Sequence, residues 1–276
     1  MPFASVLTLI RPDQPDSALE GAIGFAGDGH LMVLVAAKAP PAPVSAYDMT
    51  SGTAWLEATE EARRWAAESA DAVEALLARR DQRGAVSGHV AGPVHLSDLV
   101  ASASRCADIV LMPVGAARDQ ELEHAVVNGA MFETGAPVLV YPAATTPAST
   151  PKNVLVAWKA TPESGRALRL ALPVLKTAAS VTVLLIDPEP GARGHGEEPG
   201  ADIATYLAHH GIRPEVVKLP SEGRTAEEDI TRQVRETGAD MLVMGAYGHS
   251  RLRQRIFGGT TQAILDAPPC PVFFAH

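Results

Sequence analysis

The feature that most restricts the fold is that the chain repeats itself. Ala107-Asp108-Ile109-Val110-Leu111-Met112 is echoed by Ala239-Asp240-Met241-Leu242-Val243-Met244, and Ala136-Pro137-Val138-Leu139-Val140 by Cys270-Pro271-Val272-Phe273-Phe274. The offsets, 240 − 108 = 132 and 271 − 137 = 134, nearly agree at two separate anchors. Self-similarity at a fixed offset marks a duplicated architecture. The length of 276 residues suits two domains of about 150 residues each.

The apolar pattern says what is duplicated. In the first half a strand at 4–10 ends at Arg11-Pro12-Asp13-Gln14-Pro15, a breaker run. A short helix at 17–27 is weakened by Gly21, Gly24 and Gly27. Residues 31–37 are continuously apolar, as in a strand covered on both faces. The proline-bearing stretch 38–50 reads as loop. Residues 53–83 are the strongest helix, with Trp55, Ala62, Trp65 and Ala66 sharing an apolar face and Gly84 as a stop. Strand 85–90, helix 93–106, strand 109–114, helix 121–132 and strand 138–141 complete this half. Residues 142–150, rich in Ala, Thr and Pro, read as a linker.

The second half repeats the plan. Its strands are 154–158, 181–186, 215–219, 241–244 and 272–275. Its helices are 162–177, with Thr161 as N-cap and Pro162 at the first position, then 201–210, 225–237 and 260–266. Regular alternation of strand and helix implies a parallel sheet with crossover helices. The expected fold class is therefore α/β. Two tandem doubly wound domains are expected, each a five-stranded parallel sheet in the order 3-2-1-4-5 flanked by helices. The division is 1–141, a linker at 142–151, and 152–276. Such sheets bind ligands at the carboxyl ends of the strands, where strand order reverses. In the second half that point lies between the ends of strands 154–158 and 241–244, so Lys159 and Thr161 are expected to face the segment after Met244.

That segment carries the most specific motif. Met241-Leu242-Val243-Met244 runs into Gly245-Ala246-Tyr247-Gly248. Nine residues follow, then Gly258-Gly259-Thr260-Thr261 opens a helix. Glycines let backbone amides turn toward a ligand, and a helix start offers unpaired amides and the positive end of its dipole. Together they suit an anion, most simply a nucleotide phosphate. The corresponding stretch of the first half, Pro113-Val114-Gly115-Ala116-Ala117-Arg118, has one glycine, so the nucleotide site is expected in the C-terminal domain.

Composition excludes other classes. A net charge of −9 argues against nucleic acid as a general partner. No apolar run approaches the roughly 20 residues that span a membrane, and the N-terminal residues do not read as a signal peptide, so a cytoplasmic protein is expected. Cys106 and Cys270 are the two cysteines. They form no disulfide framework or metal cluster, and both are expected as buried, inert thiols. Neither a Gly-x-Ser-x-Gly elbow nor a P-loop is present, and no nucleophile or general base is identified. His249, Arg251, Arg253 and Arg255 lie between the glycines, either compensating phosphate or lining a solvated surface. Tyr247 either stacks on a ligand or covers the loop. His209-His210 read as a helix end, and His89 and His95 as a poor metal pair.

The run Gly245-x2-Gly248-x9-Gly258, with Cys270-Pro271-Val272 before the last strand, resembles the signature of the ATP-binding universal stress proteins. The resemblance covers the chain as two tandem domains, strongest in 152–276. It implies Rossmann-like domains that bind ATP, AMP or ADP, with or without Mg2+, and act in stress survival. It also implies that the two domains of a chain pair through their last strands and that chains associate further, as homodimers. Carried over by position, Met244 contacts the adenine or ribose side and Leu185 lines the adenine pocket. Gly245 and Gly248 wrap the phosphates, and Gly258, Gly259 and Thr260 present helix-start amides to the terminal phosphates. Two positions depart from the pattern. Lys159 stands where the family has Asp, and Gly259 where it has Ser or Thr. Backbone contacts survive both changes, and Lys159 is placed to meet phosphate. On this reading the protein is at most a weak ATPase, and two alternatives stay open: an interaction protein of the same fold that binds no nucleotide, and an enzyme of the wider nucleotide-binding α/β group, such as an adenylyl-transfer or electron-transfer-flavoprotein relative.

Overall fold

The computed structural model describes residues 2–14, 16–42, 49–115, 118–189, 191, 198–247 and 259–276. The chain divides into two compact units, Phe3–Ala136 and Pro137–His276.

In the first unit the elements are β1 (Ser5–Ile10), α1 (Asp16–Ala26), β2 (His30–Lys38), α2 (Met49–Arg79), β3 (Gly84–Ala91), α3 (Pro93–Ser104), β4 (Ile109–Val114) and α4 (Gln120–Val126), which continues as a π-helix over Val127–Thr134. The strands lie in the order β3-β2-β1-β4 and are all parallel. The apolar run in β2 is buried from Val33 to Ala37, as expected for a strand with helices on both faces. The helix expected at 53–83 begins and ends four residues earlier. It stops where Asp81 takes a left-handed conformation (φ 53°) and the Gln82 amide reaches back to the Leu77 carbonyl at 2.9 Å, a helix-closing arrangement. Gly84 is thus not the helix stop. It opens β3, where an added Cβ would lie 2.3 Å from the Leu31 carbonyl oxygen.

The second unit comprises β5 (Val138–Pro142), β6 (Asn153–Ala157), α5 (Pro162–Leu175), β7 (Ser180–Ile186), α6 (Ala201–His209), β8 (Glu215–Leu219), α7 (Ala226–Thr237), β9 (Met241–Gly245), α8 (Gly259–Asp266) and β10 (Val272–Ala275). Its strand order is β5-β10-β9-β6-β7-β8. From β10 to β8 every pair is parallel, and β8-β7-β6-β9-β10 is the 3-2-1-4-5 order. Strand β5 pairs antiparallel with β10, Val138, Leu139 and Val140 facing Phe274, Phe273 and Val272. The architecture is an α/β fold with a mostly parallel sheet flanked by helices. The fully buried Leu155, Leu185, Leu242, Phe273 and Phe274 supply much of this unit's core. Helix ends follow the sequence signals: Thr161 caps α5, the Glu228 carboxylate accepts from the Thr225 amide at 2.9 Å, and Gly238 (φ 60°) closes α7.

The repeat also has a structural cause. The Asp108 carboxylate accepts from the Ala4 and Ser5 amides at 2.7 and 3.0 Å, and the Asp240 carboxylate accepts from the Lys152 and Asn153 amides at 2.8 and 2.9 Å. In each unit an aspartate ahead of one strand ties down the start of its sheet neighbour.

Candidate functional site

The site is built at the carboxyl ends of β6 and β9, which run parallel with Ala157 opposite Met244. This is the point where strand order reverses. After β6 the Trp158 amide still donates to the Leu184 carbonyl at 2.9 Å. Lys159 is exposed, and its carbonyl accepts from the Thr161 amide at 2.7 Å. The Thr161 hydroxyl accepts from the Ser164 amide at 3.4 Å, so this side chain is engaged in starting α5.

Gly245, the last residue of β9, lies against that helix start. A Cβ there would sit 2.5 Å from the Ser164 amide nitrogen and 2.7 Å from the Glu163 carbonyl carbon. The glycine is therefore required for packing, whatever it does toward a ligand. The Ala246 amide donates to the Ala275 carbonyl at 2.8 Å, and the Ala246 carbonyl accepts from His276 Nδ1 at 3.0 Å. The backbone then turns at Tyr247, which adopts φ 62° and is 8% exposed. The Tyr247 amide donates to the hydroxyl of Thr261 at 3.4 Å.

Thr261 is the residue that sequence reasoning missed. It is buried on the inner face of α8 with Ile264 and Leu265. The i, i+3, i+4 spacing of these three was the available signal. Gly259, the first residue of α8, is exposed, and a Cβ there would meet nothing within 4 Å. Unlike Gly245, it is not pressed by any described residue at the helix start. Thr260 is half-buried beside it.

The structure thus gathers Lys159, Thr161, Met244 and Gly245 at adjoining strand ends, with Gly259 and Thr260 on the helix that Thr261 ties to the turn. Leu185 is a β7 core residue, 0% exposed. Gly248, Gly258, His249, Arg251, Arg253 and Arg255 lie outside the described residues. Two buried polar atoms near the site, Trp158 Nε1 and one Glu163 carboxylate oxygen, make no hydrogen bond. Met244 is buried, so what it can offer a ligand is its backbone.

Other chemistry is sparse. Among the described residues no group of three or more His, Cys, Asp or Glu is placed to hold a metal, and no helix is long and apolar enough to cross a membrane. Cys106 is exposed rather than buried, because the chain turns immediately after α3. Burial and the nearby Asp240 charge push the Cys270 thiol up to about 12, which leaves it protonated and inert at neutral pH. His210 packs edge-on against Tyr206, ring centroids 4.7 Å apart, at the end of α6.

Residues 150–276 match the model of the universal stress protein family. A segment of 47 residues is 45% identical to universal stress protein Slr1230 of Synechocystis sp. (strain ATCC 27184 / PCC 6803 / Kazusa), covering 17% of this chain and 16% of that relative's length. Among solved structures, a universal stress protein from Archaeoglobus fulgidus DSM 4304 superposes with a TM-score of 0.65 at 18% identity, covering 99% of this chain and 97% of its own. The functionally unknown protein PA1789 from Pseudomonas aeruginosa PAO1 gives 0.56 at 16% identity, covering 99% and 92%. These likenesses establish the shared fold.

Proposed function

We propose that this chain, whose residues 150–276 match the model of the universal stress protein family, binds an adenine nucleotide at the carboxyl ends of β6 and β9. ATP, AMP or ADP is the ligand, with Mg2+ as companion to the longer phosphate chains, and occupancy serves a stress-response or regulatory role. The observation that carries the reading is the helix start: α8 begins at an exposed glycine whose added Cβ would meet no atom of the described residues within 4 Å. Its amides and dipole end favour phosphate. Lys159, exposed at the end of β6, brings an ammonium to the same anion in place of the acid usual at this position. Binding stabilises the occupied fold by mass action and biases any surface that differs between the two states.

Gly259→Val is the informative variant, because no described residue lies within 4 Å of the added Cβ. Gly245→Val would damage α5 packing with or without ligand. The purified full-length chain is denatured and its released small molecules are identified by chromatography and mass. The melting temperature is then followed with ATP and Mg2+. A hundredfold excess over Kd stabilises by about 2.7 kcal/mol, or roughly 5–10 °C for a protein of this size. That shift is expected in the parent and absent in Gly259→Val. If no nucleotide is released and millimolar ATP leaves the parent's melting temperature unmoved, the alternative holds: an interaction protein of this fold. The packing role of Gly245, which accounts for that glycine without a ligand, favours that second reading.

A further inference from the structure

The first unit holds a cleft of about 750 Å3 beyond the carboxyl ends of β1 and β2, well within the size range of small-molecule sites. Its floor is an internal ion cluster. Arg11, the residue after β1, is 5% exposed; its Nε donates to Asp119 Oδ2 at 2.8 Å and its Nη1 to the Ala36 carbonyl at 2.9 Å, and its Nη2 lies 3.2 Å from Glu121 Oε2. Lys38 stands 3.8 and 3.9 Å from the same two carboxylates. The other Asp119 oxygen accepts from the Glu121 and Leu122 amides, both at 3.1 Å. The helix-start amides are therefore taken by Asp119, and the guanidinium charge that would attract a phosphate is offset by the Asp119 and Glu121 carboxylates, although Nη2 itself makes no hydrogen bond.

One wall of the cleft is α2. Glu61, Trp65 and Glu68 fall on a single helical face, at spacings of four and three. Trp65 is 47% exposed, an unusual cost for an indole. With Asp13 three residues after β1, the cleft carries the carboxylates of Asp13, Glu61 and Glu68 against the Arg64 guanidinium, and the largely exposed Lys38 ammonium is shared with Asp119 and Glu121. The floor is neutral by internal pairing, so the cleft as a whole is negative and has an aromatic face. That combination repels nucleotides and attracts a cation whose flat body lies on the indole.

We propose that this cleft is a second ligand site that takes a small, flat organic cation and excludes nucleotides. The carboxylates of Glu61, Glu68 and Asp13 meet the cationic end, and Trp65 meets the planar body. The Asp119–Arg11 pair closes the floor to anions.

Titration calorimetry on the full-length chain tests it, with tryptamine as the cationic probe and indole-3-acetate as the anionic probe bearing the same ring. Tryptamine is expected to bind and indole-3-acetate not. Trp65→Leu and the double variant Glu61→Lys/Glu68→Lys should each weaken tryptamine by about tenfold or more, and added salt should weaken it in the parent. These side chains are exposed, so folding is spared, which circular dichroism verifies. Equal binding of both probes, no binding of either, or tryptamine binding indifferent to both variants would overturn the proposal. The nucleotide reading stands or falls separately, since all of these substitutions lie in the first unit and the nucleotide site is placed in the second.

Discussion

At the scale of single residues, two glycines of the same motif have different reasons to be glycine. A Cβ at Gly245 collides with the backbone of Glu163 and Ser164, whereas one at Gly259 meets nothing. Gly245→Ala is therefore expected to destabilise the ligand-free protein by about 1–3 kcal/mol. Gly259→Ala should be neutral or stabilising by up to about 1 kcal/mol, as alanine is the better helix former. Urea unfolding in the absence of nucleotide separates them; equal effects would refute the packing argument. Asp119 gives a pH test. Burial pushes its carboxyl up, but the Arg11 hydrogen bond, the Leu122 amide and the Arg11 and Lys38 charges outweigh this and hold it below its ordinary value. A depressed folded value means the stabilisation is complete above the unfolded value of about 3.9 and is lost as pH falls through the folded one. The stability gap between the parent and Asp119→Ala should be constant near neutrality and shrink below about pH 4. A gap unchanged at pH 3 would show that Asp119 acts by shape and not by charge.

At the scale of elements, the Asp108 and Asp240 carboxylates explain why Ala-Asp precedes an apolar strand twice. Each holds two amides at the start of the neighbouring strand, a task only a short acceptor side chain can perform from that position. Hydrogen bonds to a charged acceptor contribute about 1.5–3 kcal/mol. Both sites are solvent-facing, so Asp240→Ala should cost about 1–2 kcal/mol in thermal or urea unfolding. Asp108→Ala should cost a similar amount, and the double variant should be near the sum, as the two share no partner. Strong non-additivity would mean that the two strand ends are coupled. Helix ends were legible because their signals are local: Thr161-Pro162 before α5, Thr225 and Glu228 at α7, Gly238 after it. The end of α2 was not. Gly84 looked like a stop, yet Asp81 took the left-handed turn, and the glycine was needed against Leu31.

At the scale of the molecule, β5 sits by repeat position at the end of the first half, yet the compact unit that holds it is Pro137–His276, where it pairs with β10. Without β5, the outer edge of β10 would present unpaired backbone beside Val272, Phe273 and Phe274. Exposed strand edges recruit further strands. A fragment spanning 137–276 is expected to be folded and monomeric, whereas one spanning 152–276 should associate with increasing concentration or aggregate. Sedimentation of the two fragments decides this, and a well-behaved monomer of 152–276 would remove β5 from the account.

The sequence by itself determined the duplication, the α/β alternation and the strand order around the site, because burial on one face or on both writes a period into consecutive residues. It also located the strand ends where Lys159, Met244 and Gly245 come together. Only the tertiary structure decided that Ser164 presses on Gly245, that Thr261 holds the Tyr247 turn, and that Arg11 is neutralised by an aspartate 108 positions away. Those contacts depend on which strand ends become neighbours once the sheet has formed. No local pattern of apolar residues records that choice.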